Sequence, residues 1–91
     1  MELNDIRKEI DNIDEKIKEL FGERLDLSAQ VAQIKAKNND DIYKPEREAE
    51  ILEWACRDIP DDRKEYYREF FQKIMSISRD YQGCIMKKNR K

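Results

Sequence analysis

Arg24 occupies an inward position of a helical repeat. The repeat reads Leu3, Ile6, Ile10, Ile13, Ile17, Leu20, Arg24, Leu27, Val31, Ile34, and every member but Arg24 is aliphatic. Residues spaced three and four apart share one helix face. A guanidinium keeps its proton, and burying it unpaired is very costly. An anion must therefore meet Arg24, either a carboxylate of the chain or a ligand. Lys35 follows almost three whole turns later, so the two cations point the same way about 16 Å apart. Both are long enough to lean toward a small ligand between them, and the Ser28 hydroxyl lies one turn after Arg24. Further along, Ser78 and Gln82 sit one turn apart on an otherwise apolar face. Glu48 precedes Leu52 by one turn on the apolar side of a shorter segment. Cations, amide, hydroxyl and carboxylate facing inward together describe a dry polar pocket for a small dianion.

Each residue alone has a plainer reading. Arg24 can pair with an internal glutamate, and Lys35 can be a solvated flank. Ser78 and Gln82 can be a helix–helix hydrogen-bond pair. Glu48 can be a first-turn partner of the helix dipole. Arg7, at the edge of the stripe, can be a surface charge. Arg7 also lies about 25 Å from Arg24 along the axis, too far to serve the same small-molecule site within one chain. If the first helix packs antiparallel to its copy in a dimer, Arg7 of one chain approaches the far half of the other, and two-fold symmetry makes this happen twice. The aromatics Trp54, Tyr66, Tyr67, Phe70 and Phe71 read as core and rim.

Three elements must position these groups. The first helix starts near Leu3–Asp5, with Asn4 or Asp5 as cap, and continues to about Lys37. Gly22 weakens it by up to ~1 kcal/mol, but the stripe passes through in phase. Asn38-Asn39-Asp40-Asp41 signals a turn. Ile42-Tyr43-Lys44 is then extended, because a residue before proline avoids the helical region. Pro45 suits the first turn of a second helix, with Glu46 and Glu48 near its positive end, running to about Arg57. Its apolar face is Ile51, Leu52 and Ala55. Ile59-Pro60-Asp61-Asp62 repeats the start signal for a third helix ending near Met86, and residues 87–91 read as a frayed tail. Its apolar face is Tyr67, Phe71, Ile74 and Ile85, interrupted by Ser78 and Gln82. The fold expected is all-α, three helices in the order long, short, long, in a single domain over residues 1–91.

Composition agrees with that expectation. Charged residues make up 44% of the 91 and hydrophobic ones 38%, with two Gly and two Pro. Long solvated helices with narrow apolar stripes have this profile. A monomer of this size buries a limited core, and such helices usually oligomerise. A net charge of −2 gives no basic field for nucleic acid. Cys56 and Cys84 lack metal-ligand spacing and the chain has no histidine, so they read as free thiols in a reducing compartment. The acidic N-terminus has no signal-peptide core, and no stretch is apolar enough to span a membrane. A cytoplasmic protein is expected.

The chain resembles the all-helical chorismate mutase family, type II. The resemblance rests on Ile6-Arg7-Lys8-Glu9-Ile10, Ile13-Asp14, Glu23-Arg24, Val31-Ala32, Lys35, Pro45-Glu46-Arg47-Glu48, and then Phe71, Ser78 and Gln82. It covers essentially the whole chain, and the spacing of Arg7, Arg24, Lys35 and the Arg47-Glu48 pair is specific. The resemblance implies an intertwined homodimer that converts chorismate to prephenate, a step toward phenylalanine and tyrosine. It implies no cofactor and no metal. It further implies that Arg24 and the partner's Arg7 grip the two substrate carboxylates. Lys35 and Gln82 donate to the ether oxygen, and Glu48 accepts from the ring hydroxyl. Ser78 helps to hold a carboxylate, and Arg47 adds field beside the site. Gln82 is neutral at ordinary pH and needs no added proton to donate. Lys44 departs from the pattern, because some members place an acidic residue there in contact with substrate. No fused dehydratase or dehydrogenase domain is expected in this chain. Two alternatives stand beside this reading: a lyase on the same scaffold that expels pyruvate from isochorismate, and a non-enzymatic dimerisation module whose inward charges are simply paired.

Overall fold

A computed structural model describes residues 2–89. Helix α1 spans Leu3–Lys37, α2 spans Pro45–Cys56 and α3 spans Lys64–Asn89, and no strand occurs among the described residues. Their lengths of 35, 12 and 26 residues match the expected long, short, long order. The boundaries have local causes. The cap of α1 is Glu2, not Asn4 or Asp5. Asp5 acts instead from inside the first turn, where its Oδ2 accepts from the Glu2 backbone N–H at 3.2 Å, half of a capping box. At the other end Lys35 and Lys37 face the negative pole of the helix. Asn39 then takes φ 53°, a left-handed conformation that a short polar side chain tolerates.

Residues 40–44 carry no regular structure, and Lys44 is held away from the helical region ahead of Pro45. Helix α2 stops at Cys56, one residue before the expected end, and Asp58 turns the chain with φ 60°. Residues 61–63 form a turn, so α3 begins at Lys64 and not at the aspartates. It continues through Lys87 and Lys88, which the sequence reads as frayed. Arg90 and Lys91 lie outside the described residues.

Helix α3 is the common wall, packing against both α1 and α2. It runs in the same direction as α1: Phe71 and Ile74 face Ile17 and Phe21 across a trough, and Ser78 meets Ser28. Helix α2 runs back the other way, with Glu48 meeting Arg79 and Trp54 edge-on to Phe71 at 5.5 Å. The buried apolar set is small: Ala32, Ala55, Met75 and Met86. The two alanines permit close approach, and the flexible methionines fill the irregular gaps they leave.

This is an extended molecule. Its radius of gyration is 16.6 Å, against about 12 Å for a compact chain of this length. The excess comes from the N-terminal part of α1, which projects beyond the start of α3. Leu3, Ile6, Ile10, Ile13, Ile17 and Leu20 keep 40–63% of their surface exposed. Each such side chain is worth ~1.5–3 kcal/mol when fully buried. Among the described residues no helix is long and apolar enough to cross a membrane.

Candidate active site

A cavity of about 340 Å³ opens where the C-terminal half of α1, the 42–44 connection, the start of α2 and the middle of α3 converge. Helix periodicity explains the convergence. Arg24, Ser28 and Lys35 share the inner face of α1, so α3 lying along that face brings Ser78 and Gln82 opposite them. Proline at the first position of α2 fixes its start, which turns Arg47 and Glu48 toward the same space. Six of the seven residues singled out from the sequence line this cavity: Arg24, Lys35, Arg47, Glu48, Ser78 and Gln82. Arg7 does not. It lies exposed on the projecting part of α1, as its distance along the helix requires.

The electrostatics are one-sided. Five cations line the cavity (Arg24, Lys35, Lys44, Arg47 and Arg79) against one carboxylate, Glu48. Glu48 is bound by Arg79. Lys44 is paired with Asp40 at 2.5 Å and Arg47 reaches Glu50 at 3.4 Å, both outward-facing contacts. Among the described residues no carboxylate lies within ion-pair distance of Arg24 or Lys35. Lys35 Nζ donates to the Ile42 carbonyl at 2.8 Å, which uses one of its three N–H donors and leaves two. Of the two partners expected for Arg24, a carboxylate of its own chain is therefore not the one it finds.

The uncharged groups form a buried chain. Ser28 and Ser78 share a hydrogen bond at 2.7 Å, and Gln82 Nε2 donates to Ser78 Oγ at 3.2 Å. Ser28, Ser78 and Gln82 are all more than nine-tenths buried. Gln82 Oε1 has no partner. A half-turn of the amide exchanges its two ends. Ser78 then donates to Oε1, and the free end of Gln82 becomes an N–H donor. In either setting one polar end of Gln82 is left for something the chain does not supply.

The family model described as chorismate mutase type II matches residues 6–83. This chain belongs to that family. The bifunctional chorismate mutase/prephenate dehydratase of Aquifex aeolicus (strain VF5) is 52% identical over 56 residues, 62% of this chain and 16% of that protein. A protein named chorismate mutase from Methanocaldococcus jannaschii is 47% identical over 51 residues, 56% of this chain and 52% of that protein. The T-protein of Haemophilus influenzae is 43% identical over 51 residues, 56% of this chain and 14% of its own length. The chain thus spans between about a seventh and a half of these curated relatives. No solved structure matches it.

Within this family fold the sequence reading missed Arg79, which from α3 touches both α2 and the connection that leads into it. Its Nη1 donates to Glu48 and its guanidinium lies over the Tyr43 ring, 5.1 Å from the centroid. The hydrogen bond to Glu48 raises the Arg79 pKa above the ordinary guanidinium value, against the opposing cost of desolvation. One signal was available. Arg79 lies three residues before Gln82 and so shares part of its face. Nothing in the sequence couples positions 48 and 79.

Proposed function

We propose that this chain is a chorismate mutase, an isomerase that rearranges chorismate to prephenate on the route to phenylalanine and tyrosine. One observation carries the reading: Arg24 and Lys35 face one small cavity without a carboxylate of their own chain, beside a buried Gln82 with an unused polar end. A dianion with an ether oxygen between its carboxylates satisfies all three. A dimerisation module with simply paired charges leaves these groups unexplained.

The reaction breaks an ether C–O bond as a C–C bond forms, within one molecule. No nucleophile is required. The protein must hold a flexible side chain in a near-attack conformer and place donors where the ether oxygen gains electron density. In this reading Arg24 grips one carboxylate, and bidentate guanidinium geometry suits the task. Lys35 and Gln82 donate to the ether oxygen, Gln82 through the amide setting that frees Nε2. Glu48 accepts from the ring hydroxyl, Ser78 supports a carboxylate, and Arg47 adds positive field at the mouth. Lys44, engaged by Asp40, offers the substrate no carboxylate contact.

The second carboxylate is assigned to Arg7 of the partner subunit in an intertwined homodimer. The uncovered stripe supports this. If α1 lies antiparallel on its copy with Arg7 opposite Arg24, the two-fold axis crosses α1 near Glu15 and Lys16. The stripe from Leu3 to Leu27 is then covered along its length, and both sites are completed together. The cavity, at the far end of the overlap, is where the partner's Arg7 arrives.

The test is loss of chorismate absorbance with purified protein, with the product identified. Conversion to prephenate is the expected result. A folded dimer that leaves chorismate unchanged but releases pyruvate from isochorismate would replace this reaction with the lyase. A folded dimer inert toward both would remove the enzymatic reading.

A further inference from the structure

The cavity holds a tension that the proposed roles leave unresolved. Glu48 is the one carboxylate among its lining residues, and Arg24 and Lys35 face the same space unpaired. Coulomb attraction inside a partly buried cavity favours closing Glu48 onto one of them. That closure would silence both the acceptor and a donor. The structure instead holds Glu48 on the opposite side, on Arg79 of α3.

Several features make Arg79 suited to holding Glu48. The pair is well shielded, with side chains 34% and 20% exposed for Arg79 and Glu48, so water screens it less than the outer pairs. The guanidinium also lies over the Tyr43 ring, in the connection that leads into α2, where a cation–π attraction favours its position. Arg79 engages Oε1 of Glu48 and leaves Oε2 free to accept. Glu48, Met75 and Arg79 also form the common wall between the polar cavity and a second hollow of about 400 Å³ on the α2–α3 side. Arg79 therefore reaches Glu48 from the wall that the two hollows share.

We propose that Arg79 is a positioning residue: it ties Glu48 to the α3 wall, so that the carboxylate accepts from the ring hydroxyl and does not close on Arg24 or Lys35. The inference rests on the chorismate mutase reading. Tyr43 is part of the same device through its hold on the guanidinium.

A double-mutant cycle tests it, with kcat/KM for chorismate measured on the full chain. R79M is expected to lower kcat/KM about tenfold or more, the scale of one lost hydrogen bond to a charged group. In an E48A background R79M is expected to cost nothing further, because the residue it acts through is gone. R79K should restore part of the loss, since an ammonium can make one of the bonds. A loss of equal size in the E48A background would overturn the inference, because Arg79 would then touch substrate or merely support the fold. No loss in either background would overturn it as well. If R79M does not fold, R79Q carries the same cycle. Failure of the parent reading shows separately, as absence of conversion by the unsubstituted protein, and the inference falls with it.

Discussion

The two halves of α1 carry the same three-four repeat and meet different surroundings. From Leu3 to Leu20 every inward position is aliphatic, and within one chain these residues stay largely exposed. From Arg24 to Lys35 polar residues enter the inner face, and α3 buries Ser28 and Ala32 there, while Leu27, Val31 and Ile34 of the stripe stay 41–59% exposed. The apolar half asks only for cover, since the hydrophobic effect is non-directional. The polar half asks for particular partners: it finds Ser78 by hydrogen bond and leaves Arg24 and Lys35 without a carboxylate. One half is thus suited to assembly and the other to recognition, and a single helix makes the second depend on the first.

The largest effect should come from breaking the apolar half. Ile13 lies close to the proposed two-fold axis, so one substitution acts on both chains near the same place. Ile13→Glu buries a carboxylate without a partner. The expected outcome is loss of the dimer by sedimentation, with mutase activity falling below detection. A variant that stays dimeric and active would end the assignment of this stripe to a second copy.

Next in size is the polar half. Arg24→Ala should lower kcat/KM about 10²-fold or more, the scale of losing a donor at developing charge. Arg7→Ala should approach it if the partner's Arg7 completes the site. Mixing the two variants separates shared sites from separate ones. About half the dimers formed are mixed, each with one intact site, so about a quarter of unsubstituted activity should return. Verified heterodimers without activity would confine the site to one chain.

The two halves also differ in how much the sequence disclosed. Helix existence and order were legible because long amphipathic periods, two prolines and two polar turns leave few alternatives. Boundaries shifted by one to three residues where several polar residues compete to cap, as with Glu2 and Asp5 or with Asp61 and Lys64. On the inner face of α1, phase alone placed Arg24 and Lys35 on the same cavity. Arg79 was not found, because its partner lies on another helix and only packing joins them.

A smaller effect sharpens the contrast between inner and outer faces of α1. Gly22 lies nearly opposite Leu20, and an added Cβ there meets nothing within 4 Å. Its backbone is helical with no positive φ. Gly22→Ala should therefore stabilise the protein by ~0.5–1 kcal/mol, by removing freedom from the unfolded chain. A raised Tm with unchanged kcat/KM is expected. A lowered Tm would show that the outer face, too, is covered in the assembled protein.

The smallest effect should lie at the cavity mouth, in the pair of Asp40 and Lys44. The hydrogen bond from Lys44 lowers the Asp40 pKa below the ordinary carboxylate value, aided by the Asp41 backbone N–H, and the same bond raises the Lys44 pKa. A carboxylate with a depressed pKa stabilises the fold above its unfolded value, about 4. That contribution is lost as pH falls through the lower, folded value. The raised ammonium behaves in the opposite sense: its share is present below the unfolded value and is lost as pH rises through the folded one. Both residues are more than two-fifths exposed, so water and salt screen the bond. Asp40→Asn should leave Tm at neutral pH within the scatter of replicate melts. Any difference should vanish in strong acid, where Asp40 is protonated in both states. A drop in Tm at neutral pH comparable to that of a core substitution would show that the connection to α2 is held by this pair, and not by the Lys35 bond to the Ile42 carbonyl beneath it.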